Sequence, residues 1–437
     1  MTRAAAGSEG GARPDGTVEV VIDSLGAHGD GVARSPRGTL FVPYTAPGDR
    51  VRARPVGGRA GRRGDGRAAE PVEILVPGPD RVTPVCPHFG VCGGCATQHL
   101  SAAFLRRWKR ELVAAALARR GLDGGAVGEV AAMPPGDRRR VDFAAVGRRH
   151  GALLGHNARR SHRLVEVTRC PVADPEIEAL LGPLRDLLGR LLGPGQRAGV
   201  LVTATEGGRD VTFEIEADLG IGERERLAEF AAAQDLARLS VRRRSGFVDG
   251  VAARRPPVVR LGGIAVVPPP GAFLQASPAG EAALVAEVAA GVGRVGAVAD
   301  LFAGCGTFAL ALAARARVHA VEGRPDMAAA LDSAARRAGV TGLTVETRDL
   351  FRRPLAGSEL DRFGAVILDP PRAGAKAQAE ALARSRVPVV VAVSCNPATF
   401  ARDARVLVDG GYRLVRVAPV DQFPWSRHIE LTALFLR

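Results

Sequence analysis

The sequence predicts a multidomain protein: a small N-terminal β-barrel, a central α+β region and a C-terminal doubly wound α/β domain. Three observations predict it. A chain of 437 residues has room for two or three domains, each with a proper core. From Thr17 the runs "TVEVVIDSL", "GTLFVPYT", "DRVRARPV" and "PVEILVP" are short, apolar in alternation and punctuated by glycine and proline, the pattern of a small barrel. From about residue 268 apolar strands alternate with alanine-rich helices, the texture of a parallel sheet covered on both faces. With residues 1–16 read as a disordered tail, the expected boundaries are 1–16, 17–78, 79–267 and 268–437.

Composition narrows the class. The chain is 46% hydrophobic and 24% charged, as in globular proteins. Its first sixteen residues hold no apolar run of the kind a secretory leader carries. The most membrane-like stretch, "AVADLFAGCGTFALALAA", is broken by Asp300 and a glycine turn and reads as strand, loop and helix. The expected compartment is the cytoplasm, with no membrane contact and no evident obligate protein partner. Thiols stay reduced there, so clustered cysteines point to metal or catalysis.

The net charge is +14 and the pI about 10.8, an excess that suits a polyanionic partner such as nucleic acid. Of the 60 basic side chains, only Lys109 and Lys376 are lysine. Compositional bias accounts for that choice of cation better than for the excess over acids. The loop "GGRAGRRGDGR" concentrates charge beside the barrel, where it could grip RNA.

The first α/β unit is "GRVGAVADLFAGCGTFALALAARARVHAVEG". Its first strand ends at Asp300, Gly304-Cys305-Gly306 makes the turn, a helix spans 307–316, and the second strand ends in Glu322. Ala309 stands where a dinucleotide site has its third glycine, and no lysine follows to make a phosphate loop. S-adenosylmethionine, with ribose and adenine but no phosphate, fits better, and Glu322 could accept from its ribose hydroxyls. This turn alone leaves a nicotinamide enzyme open. Two further strands tip the balance. Ala365–Leu368 delivers Asp369 and a rigid Pro-Pro, with Arg372 where amine methyltransferases often carry a stacking aromatic. "VPVVVAVSCNPATFARD" delivers Cys395 at a strand end on the same edge of the sheet.

Three of the six cysteines fall in "CPHFGVCGGC": Cys86, Cys92 and Cys95. Three thiols cannot pair off as disulfides without leaving one over. The C-x5-C-x2-C spacing is unlike common zinc knuckles, although a zinc site with His88 or His99 is the rival reading.

The motifs "DLFAGCGTF", "DPPRAGA", "SCNPATFARD" and "VDQFPWSRHIELTALF", in this order, resemble the RNA (uracil-5-)-methyltransferase family. The segment "VCPHFGVCGGCATQHLSAAFLRRWKREL" is similar to the family's iron–sulfur branch, and residues 17–75 resemble a TRAM domain, an OB-like RNA-binding barrel. The likeness covers nearly the whole chain after the tail. It implies a Rossmann-like class I methyltransferase domain behind a central domain with an iron–sulfur site. A [4Fe–4S] cluster takes four thiolates; the family's fourth lies in an "RCP" segment, which here offers Cys170.

The same resemblance implies Cys395 as the nucleophile that adds to C6 of uracil and Glu430 as the base that removes the C5 proton. It implies Gln275, Phe302, Thr307, Glu322, Asp349 and Asp369 for the cofactor, with Thr307 standing where the family commonly has asparagine. On a strand, His428 and Glu430 would share a face. Phe143, Phe273 and Trp425 are candidate platforms for a base in a chain only 4% aromatic. The barrel and cysteine cluster favour ribosomal over transfer RNA, because the family's transfer-RNA members usually lack both. The alternatives are a transfer-RNA uracil-5 enzyme, a cytosine-C5 enzyme, and a non-catalytic RNA-binding iron–sulfur protein.

Overall fold

The computed structural model describes residues 16–36, 38–59, 66–216, 219–243 and 245–437. The expected tail and most of the glycine–arginine loop lie outside the described residues. Contacts divide the chain into two compact units, Met1–Lys109 with Trp425–Arg427, and Arg110–Pro424 with His428–Arg437. The boundary falls within the helix Ala102–Ala118.

The first unit is built on a six-stranded sheet. In spatial order its strands are Val18–Val21, Arg50–Arg59, Gly66–Val76, Gly38–Pro43, Asp30–Ser35 and Ser24–Leu25. All neighbours are antiparallel except the pair Gly38–Pro43 and Gly66–Val76. Val18, Val20, Leu40, Val42, Val51 and Ala53 form its core, every second residue along each strand, as a sheet with one covered face requires. Asp49 ties this unit together. Its carboxylate accepts the N–H groups of Ala46 at 2.6 Å and Gly78 at 2.7 Å, and Arg81 Nε at 2.9 Å.

The second unit holds a seven-stranded and an eight-stranded sheet. The seven-stranded sheet runs Leu164–Glu166, Ala152–Asn157, Arg140–Gly147, Arg197–Thr205, Gly208–Ile215, Arg238–Arg242, Val248–Ala253. Phe143 is buried in it and stacks on His156 at 5.1 Å. It is a core side chain, not the base platform it was a candidate for.

The eight-stranded sheet carries the site. Its long strands are β1 (Ala297–Leu301), β2 (Arg317–Glu322), β3 (Leu343–Thr347), β4 (Ala365–Leu368), β5 (Val389–Ser394), β6 (Arg413–Asp421) and β7 (Glu430–Leu436). They lie in the order β3-β2-β1-β4-β5-β7-β6, with the short strand Ala131–Ala132 beyond β6. The first five are parallel, and β7 is antiparallel to both its neighbours. Alternation is absent from β4 and β5 because both faces are covered. Ala365, Ile367, Val391 and Val393 enter one core, while Val366, Leu368, Val390 and Ala392 enter the other. Strand order reverses between β1 and β4, which opens a crevice at the strand C-termini.

Two local expectations change. The helix after the glycine turn is Thr307–Leu312, not 307–316, since the chain turns at Ala313–Arg315 to reach β2. β7 begins at Glu430, so His428 lies in the preceding loop and shares no strand face with it.

Candidate active site

The loop after β1 is held in an uncommon backbone conformation. Phe302, Gly304 and Gly306 all have positive φ, at 65°, 59° and 100°. The left-handed region suits glycine and costs a phenylalanine about 1–2 kcal/mol. Glu322, at the end of β2, fixes this loop from the next strand. Its Oε2 accepts the Gly304 N–H at 2.8 Å and its Oε1 the Arg324 N–H at 2.8 Å. Each oxygen keeps a lone pair for a further donor. Asp300 is fully buried with no hydrogen-bond partner of normal geometry for either oxygen. Burial and the charge of Asp369 push its carboxyl well up, against the Ala309 N–H, which lowers it.

Phe302 packs beside Phe351 at 5.4 Å, and the Phe351 ring is 51% exposed. Asp349, which follows β3, is exposed and caps its own turn by accepting the Phe351 N–H at 2.9 Å. Thr307 is half-buried at the start of its helix. These residues fit a ribose-bearing aromatic group: an acid with spare acceptors, an accessible ring, and a buried carboxylate still short of donors.

The turns after β4 and β5 are fastened to each other. Asn396 Nδ2 donates to the Arg372 carbonyl at 3.1 Å, and Thr399 Oγ1 donates to the same oxygen at 3.1 Å. Arg402 Nη2 donates to the Ala373 carbonyl at 3.0 Å, and Asp403 accepts the Ala375 N–H at 2.7 Å. Asn396 also caps the helix Pro397–Asp409 through the Ala398 N–H. The "CNPATFARD" stretch therefore rivets "PRAGA" in place, which sets Cys395 beside Asp369 and Arg372.

Burial, with the charges of Glu430 and Asp369, pushes the Cys395 thiol up to about 11, while Arg372 pulls it down. Glu430 is 4% exposed. Burial and Asp369 raise its carboxyl to about 8, against the Gln422 amide and Arg372. Burial alone raises Asp369 to about 7. Gln275 Nε2 donates to Asp369 Oδ2 at 3.3 Å, and Gln422 Nε2 reaches both Gln275 Oε1 at 2.7 Å and Glu430 Oε2 at 3.4 Å. The Cys395 thiol, the Asp369 and Glu430 carboxyls and the Arg372 guanidinium thus converge at the ends of β4, β5 and β7.

Residues 282–437 match the family model described as tRNA (Uracil-5-)-methyltransferase. An uncharacterized RNA methyltransferase of Mesorhizobium japonicum is 45% identical over 414 residues, 94% of this chain and 96% of that one. The 23S rRNA (uracil(1939)-C(5))-methyltransferase RlmD of Chromohalobacter salexigens is 36% identical over 441 aligned positions, 97% of this chain and 90% of that one.

This chain belongs to the RNA (uracil-5-)-methyltransferase family.

The crystal structure of the Pyrococcus abyssi tRNA (uracil-54, C5)-methyltransferase with S-adenosyl-L-homocysteine shares the fold. Its TM-score is 0.72 at 23% identity, covering 96% of this chain and 100% of that one. The methyltransferase is an S-adenosylmethionine-dependent enzyme by family, and its C-terminal sheet is the Rossmann-like methyltransferase fold.

In this methyltransferase the remaining cysteines stand as follows. Cys305 is buried in the turn after β1, and burial pushes its thiol up to about 12. Cys86, Cys92, Cys95 and Cys170 are half-buried. The Cys86 N–H donates to Gln98 Oε1 at 3.1 Å, and the Gly94 N–H lies 3.4 Å from Cys92 Sγ. The Cys170 N–H donates to Glu178 at 3.3 Å. Among the described residues no group of three or more His, Cys, Asp or Glu side chains is placed to hold a metal ion. His99, offered for the zinc alternative, is buried, and burial lowers its imidazole to about 4. Among the described residues no helix is long and apolar enough to cross a membrane.

Sequence reasoning missed Gln422 and Arg139. Gln422 sits inside a motif that was read for Trp425, His428 and Glu430. Arg139 is one of three consecutive arginines, 138–140. It is buried against Glu281, and its Nε donates to the Gln275 carbonyl at 3.0 Å. No local pattern marks a polar side chain that folding will bury.

Proposed function

We propose that the protein methylates C5 of a uracil in RNA, 23S ribosomal RNA, from S-adenosylmethionine. The observation that carries this is the hydrogen-bond chain from Asp369 through Gln275 and Gln422 to Glu430, with Cys395 close enough for the charges of Glu430 and Asp369 to raise its thiol. S-adenosylmethionine supplies the methyl group as a sulfonium, a good electrophile. C5 of uracil is a poor nucleophile until the ring's conjugation is broken, and Cys395, as the thiolate, does this by adding to C6, which leaves an enolate with a nucleophilic C5. C5 then takes the methyl as its bond to the donor sulfur breaks. Glu430 accepts the C5 proton, the C6–S bond breaks, and Cys395 is regenerated. The base must leave its stack to reach the crevice, so a single-stranded loop is the natural substrate.

Gln275, Phe302, Thr307, Glu322 and Asp369 are assigned to the cofactor, Asp349 by its place after β3. Ribosomal RNA is supported by the RlmD relative, aligned along nearly the whole chain. The transfer-RNA reading is favoured by the description of the family model. The six-stranded sheet is read as a TRAM-type RNA-binding barrel, residues 17–78, ahead of a central domain 79–267. The [4Fe–4S] reading of Cys86, Cys92, Cys95 and Cys170 rests on their spacing and the family resemblance, and iron and sulfide assay of anaerobic protein decides it. Mass mapping of 5-methyluridine in ribosomal and transfer RNA from a deletion strain, with and without the restored gene, tests the substrate. Loss from 23S RNA alone is expected; loss from transfer RNA alone overturns the assignment.

A further inference from the structure

Four side chains from four separate stretches form one buried polar thread. Gln275 is 2% exposed and Gln422 1%, and between them they link Asp369 at one end to Glu430 at the other. An amide can be turned end for end, so its direction must be fixed by a partner with a single role. That partner is the Ser277 backbone N–H, which can only donate and lies 3.3 Å from Gln422 Oε1. Reversing Gln422 would set its –NH2 against that N–H and its oxygen against both Gln275 Oε1 and the Glu430 carboxylate. Gln422 Nε2 must therefore face Gln275 and Glu430. It follows that Gln275 turns its own Nε2 to Asp369. Each carboxylate receives an amide N–H, and the choice is made by a backbone group at the N-cap of the helix Pro278–Val292.

The Gln275 backbone is anchored beside this arrangement. Arg139 grips its carbonyl and is itself paired with buried Glu281. The other groups facing Glu430 are Asp369 and Arg372 from the turn after β4 and the Cys395 thiol from the end of β5. On β6, Asp421 turns back to accept the Phe423 N–H at 3.0 Å. Among the described residues, Gln422 is thus the side chain that donates to the Glu430 carboxylate.

We propose that Gln422 is a positioning residue of the methyl-transfer reaction, holding the Glu430 carboxylate in place and, through Gln275, joining it to Asp369. The inference rests on the reading of Glu430 as the proton acceptor. A donated N–H stabilises the ionised carboxylate, the form that can take a proton. Removing it makes Glu430 a weaker acid and leaves more of it protonated at neutral pH.

The test is the pH dependence of single-turnover product formation by full-length protein with an RNA substrate, with covalent protein–RNA adduct measured in parallel. Gln422→Met keeps the volume and removes the donor. Its acid limb is expected to move to higher pH, lowering the rate at pH 7 about tenfold for each unit moved. RNA KM stays unchanged and methylated adduct accumulates. Gln422→Glu, isosteric and safer for folding, places a second acid beside Glu430 and is expected to move the limb further. A loss of rate in both variants with the acid limb unmoved overturns the proposal, because a purely structural role lowers amplitude without shifting ionisation. Glu430→Gln separates the two ideas: full turnover in that variant refutes the proton-acceptor reading itself, whatever Gln422 does.

Discussion

Arg372 Nη2 lies 2.7 Å from His428 Nδ1. A guanidinium can only donate, so Nδ1 accepts and the ring proton sits on Nε2. The loop before β7 is thereby latched to the turn after β4, and Arg372 is held where it is the cation that lowers the Cys395 thiol. Arg372→Ala removes that effect. The thiol should rise further, with about tenfold less thiolate per unit of rise. Alkylation of Cys395 across pH, followed by peptide mass mapping, checks this; an unchanged titration would mean Arg372 does not tune the sulfur.

Cys395 and Glu430 are expected to fail at different steps. Cys395→Ala should give neither product nor adduct. Glu430→Gln should slow release by about 10²–10⁴-fold, the usual worth of a positioned base, and accumulate methylated adduct. In the wild type, Glu430 works only when ionised, and its carboxyl is raised to about 8. Product release should therefore increase as pH rises through that value and fall below it. A flat profile between pH 6.5 and 9 would argue against Glu430.

Gly306 has φ of 100°, and a Cβ there would overlap Leu331 Cδ1. Gly306→Ala combines backbone strain with overpacking, and should cost about 2 kcal/mol. Because the strain falls in the loop proposed to hold the cofactor, affinity for S-adenosylhomocysteine should fall as well. Denaturant unfolding and calorimetric binding measure the two, and wild-type values in both would show the turn to be adaptable.

Asp49 tests the N-terminal unit. Burial acts to raise its carboxyl, but Arg81 and the N–H groups of Ala46 and Gly78 hold it below the ordinary value. A depressed carboxylate contributes stability above its unfolded value, and loses it as pH falls through the folded one. Asp49→Ala should destabilise this unit by about 3 kcal/mol at pH 7, since it strands a partly buried Arg81. The acid sensitivity of that unit should diminish in parallel. Hydrogen exchange over residues 18–76, read at pH 7 and at pH 3, separates the two effects.

Much of this was legible before any coordinates. The continuous apolar runs at Ala365–Leu368 and Val389–Ser394 can only be strands covered on both faces, and each hands a reactive residue to the same edge of a parallel sheet. Gly304 and Gly306 announced a turn that side chains would obstruct. Such features are local, fixed by periodicity and by the backbone freedom of a few residues. The length of the helix after that turn was misjudged because helical propensity continues past Leu312, while the need to reach β2 does not allow it.

The sequence by itself determined the layers, the strand ends and the chemical identity of the thiol and carboxyls. Only the tertiary structure decided how those groups ionise and which way the amides between them point. Gln275 and Gln422 are 147 residues apart and Arg139 and Glu281 142 apart, so no periodicity relates them. Their roles come from burial, which raises the cost of an unpaired polar group and forces each donor to find its acceptor.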